Sequence, residues 1–284
     1  MQIINRQLLL TRRAQQRVCG HAALKDNQFL LQNAEADLID RLGIITREFE
    51  TAVHIGGYNG SFARQIRQLN MTEHYFNIEP SGNTADIIAS DEVLPLKAQS
   101  VNLITSCLSL QFVNDLPGLF AQVKYALKPD GLFAANLIGG DSLRELRESL
   151  LVAETELTGG AANRILPFAT VQQIGALLQR AGFALPVVDM DSLTVRYDDI
   201  FGLIKDLRAM GATNCLIETD KRKPLTRNVI ARAAQIYQQR FGQADGRVTA
   251  QFDILNLIGW APHKSQQKPL KPGSADHKLV DFLG

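Results

Sequence analysis

Residues 52–66 read AVHIGGYNGSFARQI, in which a short apolar run leads into a glycine-rich turn and then into apolar residues at helical spacing. The run 52–55 is short and apolar, so we predict a buried strand that ends at the turn 56–60. Phe62 and Ile66, four residues apart, predict the helix that follows. A strand, a tight turn and a helix in this order are typical of α/β proteins that bind ligands at the helix N-terminus.

The rest of the chain continues this alternation of strands and helices. Amphipathic spacing predicts a helix over 37–49, and apolar runs predict further strands at 75–79, 101–107, 132–138 and 248–254. Parallel neighbours need helical crossovers, because a tight turn joins only antiparallel strands. The sequence therefore predicts the α/β class with a largely parallel sheet.

We expect three segments along the chain. Residues 1–33 are predicted to be a basic N-terminal helical segment, 34–261 an α/β domain, and 262–284 an extended tail rich in Pro, Lys, Gly and Ser. Helical insertions are expected within the domain at about 141–167 and about 197–245.

Composition limits the function classes. Thirty Lys and Arg residues against 29 Asp and Glu leave a net charge of +1, so general attraction to nucleic acid is not expected. Three cysteines without C-x-x-C spacing predict no disulfide framework and no zinc site. Five histidines without an H-x-D or H-x-E pair predict no iron site, so no metal is expected. No apolar run approaches the ~20 residues of a transmembrane helix.

One carboxylate stands where a nucleotide cofactor would need it. Glu79 follows Gly60 by 19 residues and ends the predicted second strand, where an acid can accept both hydroxyls of a ribose. The loop 90–96 precedes the next strand, in the position from which a loop covers an adenine ring. The glycine turn matches only half of the dinucleotide pattern G-x-G-x-x-G, so a nicotinamide or flavin enzyme is not expected. On the turn alone, a ligand-binding role and a purely structural one are equally supported.

Six segments resemble the class I S-adenosylmethionine-dependent methyltransferases, and the resemblance extends over nearly the whole chain. Within that family they are similar to respiratory complex I assembly factors of the arginine-hydroxylase type and their bacterial relatives, and more distantly to malonyl-acyl-carrier-protein O-methyltransferases. The resemblance implies a Rossmann-like sheet whose last strand is antiparallel. The segments are 106–117 (SCLSLQFVNDLP), 127–131 (LKPDG), 139–147 (GGDSLRELR), 153–156 (AETE), 210–215 (MGATNC) and 258–266 (IGWAPHKSQ).

The resemblance also implies a site for S-adenosylmethionine. The turn would hold the methionine part, Glu79 the ribose, the following loop the adenine, and the start of 108–112 the floor. The cofactor-binding candidates are Gly56, Gly57, Tyr58, Gly60, Glu79, Ser90, Asp91, Glu92, Leu108 and Ser109. The substrate would enter past candidate catalytic residues at the strand ends and under the inserted helices, and these candidates are Gln111, Asn114, Asp141, Arg144 and Trp260.

Three departures from the family pattern predict weaker cofactor binding than usual. His54 replaces an acid expected near the cofactor ammonium, and a protonated imidazole would repel that ammonium. Tyr58 fills a glycine position, and Ser90 stands where an adenine-reading Asp is common, although Asp91 could take over if the loop shifts by one residue. The alternative for His54 is an ordinary core histidine with a satisfied hydrogen bond.

Three functions follow as hypotheses. The first is an S-adenosylmethionine-dependent methyltransferase that modifies a protein or small-acid substrate and is linked to complex I assembly. The second is a protein-arginine hydroxylase acting on a complex I subunit, and the third is a non-catalytic assembly chaperone with a degenerate cofactor site. Oligomeric state is left open, and peripheral association with a membrane is allowed.

The N-terminus bears on location. Five basic residues and no acidic residue precede Asp26, a pattern that a mitochondrial transit peptide shares with an ordinary basic helix. Residues 4–6 resemble the opening of the processed family domain, which favours the basic helix. We therefore expect bacterial cytoplasm, with the mitochondrial matrix after processing as the alternative.

Overall fold

A sheet of seven strands lies at the centre of the part of the chain that this computed structural model describes. The described residues are 2–18, 28–56, 60–82, 85–217 and 224–267. The strands are β1 (Phe49–Ile55), β2 (Thr72–Glu79), β3 (Ile87–Ile88), β4 (Val101–Cys107), β5 (Leu127–Gly139), β6 (Ala184–Tyr197) and β7 (Val248–Trp260). The helices are α1 (Arg6–Val18), α2 (Phe29–Gly43), α3 (Ser61–Gln68), α4 (Leu116–Ala126), α5 (Arg144–Thr158), α6 (Val171–Ala181), α7 (Ile200–Ala209) and α8 (Arg227–Phe241), with a 3₁₀ turn at Leu110–Phe112.

The strands follow the order β3-β2-β1-β4-β5-β7-β6. β1 pairs in parallel with β2 and β4, and β5 pairs in parallel with β4. β7 enters between β5 and β6 and is antiparallel to both. This arrangement confirms the predicted α/β class with a mostly parallel sheet and an antiparallel last strand. Strand order reverses between β1 and β4, and ligands of such sheets bind in the crevice at the carboxyl ends of the strands on either side of that point.

Helices cover both faces of the sheet, because successive residues of a strand point to opposite sides. Ala52 and Leu103 belong to the core that packs against α2, α3, α5, α7 and α8. Val53 and Ile104 belong to the core that packs against α4 and α6. A strand buried on both faces has no polar face, which is why the run 52–55 is apolar without alternation.

The helix before β1 lies earlier in the chain than the sequence predicts. The apolar spacing indicated residues 37–49, whereas α2 spans Phe29–Gly43. Phe49 opens β1, where it is 1% exposed and pairs with Thr72. Its helical spacing from Leu42 is a coincidence, since four non-helical residues separate Ile44 from Phe49.

The N-terminal segment packs against the residues that follow β4. The side-chain oxygen Oδ1 of Asn114 accepts hydrogen bonds from the backbone N–H groups of Ile3 and Ile4, both at 2.8 Å. Ile4 also forms an antiparallel bridge with Leu216, and Leu9 of α1 is fully buried. Helix α1 is thereby held beside the carboxyl end of the sheet.

The predicted division into an N-terminal segment, a domain with two insertions and a tail stays a prediction. Helices α5, α7 and α8 lie in the ranges predicted for the insertions. Residues 268–284 of the predicted tail lie outside the described residues. No helix among the described residues is both long and apolar enough to cross a lipid bilayer.

Candidate functional site

The turn after β1 needs a glycine at its first position. Gly56 has a φ of +79°, and a Cβ added there would lie 2.3 Å from the Ser109 Oγ. Ser109 reaches this position because its Oγ bonds to the backbone oxygen of Ile55 at 3.2 Å and to the Ser106 Oγ at 2.8 Å. The ends of β1 and β4 are therefore joined through these hydroxyls, with no room for a side chain between them.

Among the remaining turn residues, the structure describes Gly60. Gly60 has a φ of 67° and is the N-cap residue of α3. Gly57 and Tyr58 lie outside the described residues, so the structure does not test their predicted contacts. Helix α3 follows directly, so its N-terminus lies at this end of the sheet, and the backbone N–H of Phe62 hydrogen-bonds to the Glu35 carboxylate.

Glu79 lies at the end of β2, next to the end of β1. Ile78 pairs with Ile55, so the two strands end together. The Glu79 side chain is 1% exposed, and its Oε1 accepts a hydrogen bond from the Asn77 amide at 2.5 Å. Glu79 therefore lies at the carboxyl end of β2 beside the crevice, and its predicted contact with a ribose stays a prediction.

Asp91 is the buried carboxylate of the loop after β3. It is 1% exposed, and its Oδ1 forms an ion pair with the Arg6 guanidinium of α1. Its Oδ2 is buried and has no hydrogen-bond partner among the described residues, and it lies 3.9 Å from the Cβ position of Gly56. Burial raises the pKa of this carboxyl, and the nearby charges of Arg6 and Arg13 oppose that rise.

The neighbours of Asp91 face elsewhere. Ser90 is exposed, and its hydroxyl accepts a hydrogen bond from the Glu92 backbone N–H at 3.1 Å. The Glu92 carboxylate accepts a bond from the Asn114 backbone N–H at 2.6 Å. Of the three loop residues proposed from the sequence, Asp91 is therefore the one directed at the crevice, as in the one-residue shift considered above.

His54 is a buried, neutral core histidine. Burial lowers its pKa to about 3. Its Nδ1 is 2.8 Å from the Thr105 hydroxyl, and its ring stacks on Phe62 with centroids 4.7 Å apart. The imidazole therefore carries no positive charge at neutral pH that would repel an ammonium group.

Glu35 is a buried carboxylate beside the glycine turn, and it was not among the candidates predicted from the sequence. It lies on α2, is 2% exposed, and accepts hydrogen bonds from the Ser61 hydroxyl and, at 3.0 Å, from the Gln65 amide. A hollow of about 10 Å³ separates it from His54, Gly60 and other residues. Burial raises the pKa of the Glu35 carboxyl, against the hydrogen bonds it accepts.

The signal for Glu35 was present in the sequence. Leu38 and Leu42 follow it at three and seven residues, so Glu35 is a charge on the buried stripe of an amphipathic helix. Such a placement is rare unless the carboxylate has partners. The misplaced boundary of this helix hid it, because the predicted helix began at residue 37.

A cavity of about 610 Å³ opens beside the crevice. Its walls come from α1, α2, α5, α7, α8, the ends of β4 and β5, and the segment 210–214. Cys107, Leu108 and Gln111 line the side next to Ser109. The described lining is mostly apolar and also contains four arginines, which are Arg12, Arg13, Arg164 and Arg208.

The structure brings together only some of the candidate catalytic residues. Gln111 lines the cavity, and its amide donates to the Leu108 backbone oxygen at 2.8 Å. Asn114 holds the N-terminal segment, as described above, whereas Asp141 and Arg144 are exposed beyond the end of β5.

Trp260 lies at the opposite end of the sheet. It pairs with Leu132 near the start of β5, whereas Asp253 of the same strand pairs with Gly139 at the end of β5. The prediction that Trp260 lies above the carboxyl ends of the strands is wrong, because β7 is antiparallel and carries its last residue away from the crevice.

No group of three His, Cys, Asp or Glu side chains within the described ranges is arranged to hold a metal ion.

Comparison with known proteins agrees with this geometry. A family model described as a methyltransferase domain matches residues 28–186. The chain is 38% identical over 257 residues to the mitochondrial arginine-hydroxylase NDUFAF5 of Mus musculus, covering 87% of this chain and 74% of that protein. It is 38% identical over 198 residues to the malonyl-[acyl-carrier protein] O-methyltransferase of Xylella fastidiosa, covering 69% of this chain and 62% of that protein.

A solved structure shares the fold. A candidate methyltransferase of Bacillus halodurans matches with a TM-score of 0.56 and 12% identity, covering 80% of this chain and all of that one. At this level of identity the match concerns the arrangement of helices and strands, which agrees with the sheet order described above.

Proposed function

The chain belongs to the methyltransferase-domain family, and from that premise we propose that it is an S-adenosylmethionine-dependent methyltransferase whose acceptor enters the cavity beside the crevice. The observation that carries the proposal is the free, buried Oδ2 of Asp91, directed at the backbone of Gly56. A buried carboxylate oxygen without a donor is costly, and a hydrogen-bond donor of a ligand would satisfy it.

The residues around this oxygen fit an adenosyl cofactor. Asp91 offers an acceptor for the exocyclic amine of adenine, and Glu79 offers acceptors for the ribose hydroxyls. Gly56 leaves the backbone bare where the cofactor would cross the end of β1. Arg6 binds the other oxygen of Asp91 and would hold that carboxylate in position.

Glu35 can supply the carboxylate that the family pattern has at position 54. The usual acid at position 54 is missing, but the Glu35 carboxylate lies across a small hollow from His54 and Gly60. We assign it the contact with the ammonium of the methionine part, since a buried carboxylate favours a cationic partner. The neutral imidazole then plays a structural part beneath it.

The chemistry requires little from the protein beyond alignment. When bound, the cofactor would supply a methyl group to an acceptor that attacks the methyl carbon in line with the breaking S–C bond, with S-adenosylhomocysteine as the leaving group. Leu108 and Gln111 lie where the crevice meets the cavity, so they would orient the acceptor. The apolar walls of the cavity exclude water, which favours transfer from a cationic sulfonium to a desolvated acceptor.

Calorimetry with S-adenosylmethionine and S-adenosylhomocysteine tests the proposal. We expect heat of binding and a rise in melting temperature at millimolar ligand, a concentration that half-fills even a site of about 4 kcal/mol. Asp91→Asn, Glu79→Gln and Glu35→Gln should each weaken binding. Glu48→Gln is the control, because Glu48 is exposed and precedes β1 at the other end of the sheet. The absence of heat and of any melting shift with both ligands would refute the proposal.

A second candidate is a protein-arginine hydroxylase acting on a respiratory complex I subunit. The observation that favours it is 38% identity to a relative named arginine-hydroxylase, along 74% of that relative's length. Its test is mass spectrometry of that subunit from a deletion strain, which should show a peptide lighter by one oxygen atom. An unchanged mass would exclude this candidate.

The remaining alternative is an assembly chaperone without catalysis. In that case Glu79→Ala would leave both partner capture and complex I assembly intact. We place the protein in a bacterial cytoplasm, with the mitochondrial matrix as the alternative, since the Mus musculus relative is named as mitochondrial. Fractionation of the native source decides between the two.

A further inference from the structure

The charge of the cavity points to the kind of ligand it receives. Twenty-nine described residues line it, and among them the charged side chains are four arginines without a single Asp or Glu. A cavity of about 610 Å³ is in the size range of small-molecule sites. Its described lining is therefore mostly apolar, and all of its charged members are positive.

Two of the arginines are already engaged. Arg164 forms an ion pair with Glu154, and both side chains are 6% exposed. Arg13 lies over the Phe112 ring, 4.8 Å from its centroid, and its charge acts on Asp91. We therefore treat Arg13 and Arg164 as parts of the cavity wall and not as groups that bind a ligand.

Arg12 and Arg208 are the other two, and no described residue forms an ion pair with either of them. Arg12 donates one hydrogen bond to the backbone oxygen of Asn214, which also lines the cavity. Arg208 is exposed at the end of α7. Each guanidinium has donors left over, and the planar fork of a guanidinium matches the two oxygens of a carboxylate.

The apolar part of the lining includes Leu146, Leu150, Ile204, Leu207 and Phe252. Burying apolar surface against such a wall is favourable, and the wall offers no polar partner for a second charged group. A guanidinium would enter against like charges, with no described carboxylate lining the cavity to receive it.

We propose that this cavity binds a carboxylate with an apolar body, such as a medium-chain fatty acid, with the head group at Arg12 and Arg208. As the class of acceptor it rests on the proposed methyltransferase function. Binding itself does not depend on that function, since the arginines and the apolar wall lie outside the Glu79 and Asp91 crevice.

The test is a calorimetric titration of the full chain, without any cofactor, using three ligands with the same ten-carbon body. Decanoate carries the carboxylate, decanol a neutral head and decylguanidinium a cationic one, all below their aggregation concentrations. We expect decanoate to bind at least about tenfold more tightly than decanol, because one charge-assisted hydrogen bond changes a dissociation constant by about that factor. Decylguanidinium should bind more weakly than decanol.

Variants locate the head group. Arg12→Met and Arg208→Met keep an apolar stem and remove the charge. Each variant should therefore lower the affinity for decanoate by about tenfold and leave the affinity for decanol unchanged. Arg180→Met is the matched control, because Arg180 is exposed on α6, on the other face of the sheet. The inference is overturned if decylguanidinium binds as tightly as decanoate, if both variants keep the wild-type affinity for decanoate, or if decanoate does not bind.

The outcome is separable from that of the proposed function. Decanoate binding without any heat from S-adenosylmethionine would keep the ligand assignment and remove the methyltransferase. Heat from S-adenosylmethionine without decanoate binding would keep the methyltransferase proposal and remove the ligand assignment.

Discussion

His54 should make the stability of the protein depend on pH between about 3 and 6.5. Its folded pKa is about 3 because the imidazole is buried, whereas an unfolded histidine titrates near 6.5. Between these values the unfolded chain binds the proton and the folded chain does not. The free energy of unfolding therefore rises with pH through this window, and stability is lost as pH falls.

The magnitude follows from proton linkage. At pH 7 the unfolded imidazole is about one quarter protonated, and at pH 5 it is about 97% protonated, while the folded ring stays neutral at both. The corresponding difference in the free energy of unfolding is about 2 kcal/mol. For a domain of this size that is a change of several degrees in melting temperature.

The assay compares wild type with His54→Asn by urea unfolding at pH 5, 6 and 7. Other titrating groups cancel in the difference between the two proteins, so the advantage of wild type over the variant should be about 2 kcal/mol smaller at pH 5 than at pH 7. His74→Asn is the control, since that histidine is exposed on β2. If the difference between wild type and His54→Asn is the same at pH 5 and pH 7, the imidazole is not held neutral by the fold and the reasoning about this site is wrong.

Three further variants test the packing around the site by urea unfolding. Gly56→Ala should lower the free energy of unfolding by at least about 1–2 kcal/mol, because residue 56 has a left-handed backbone. Adding Ser109→Gly to that variant should recover only the part of the loss that comes from the clash with the Ser109 Oγ. Full recovery would contradict the backbone argument. Glu154→Gln should lower the free energy of unfolding by about 3–5 kcal/mol, because it leaves the Arg164 charge buried. Replacing both partners by apolar residues should cost less, and a double-variant loss equal to the sum of the two single losses would show that the pair is not coupled. Asp115→Ala removes the side-chain acceptor of the Gly118 N–H at 2.9 Å and should cost about 1 kcal/mol; a neutral result would mean that this cap does not stabilise α4.

Local sequence patterns were sufficient for most of the secondary structure. The run 101–107 matches β4 at both ends, and Thr170 forms the capping box of α6 that its spacing with Gln173 indicates. Glu79 could also be placed at a strand end, because the end of an apolar run marks where a buried strand stops. These features depend on neighbours within a few residues, so the sequence contains them directly.

Contacts between distant segments could not be predicted in this way. Arg6 and Asp91 are 85 residues apart and meet because the N-terminal segment is held by Asn114 and by the bridge between Ile4 and Leu216. The position of Trp260 depends on the direction of β7 in the sheet, which the pattern of apolar residues does not reveal. Glu35 became a candidate once the true span of α2 was known.

Local sequence patterns predict most of the strands and helices, the α/β class and the glycine turn, because hydrophobic periodicity and the conformational freedom of glycine act over short stretches of chain. Tertiary structure alone decided which carboxylates share the crevice, that His54 is neutral, and that arginines from α1 and α7 border one apolar cavity. Those properties arise from burial and from charges brought together by packing, and neither exists until the whole sheet has formed.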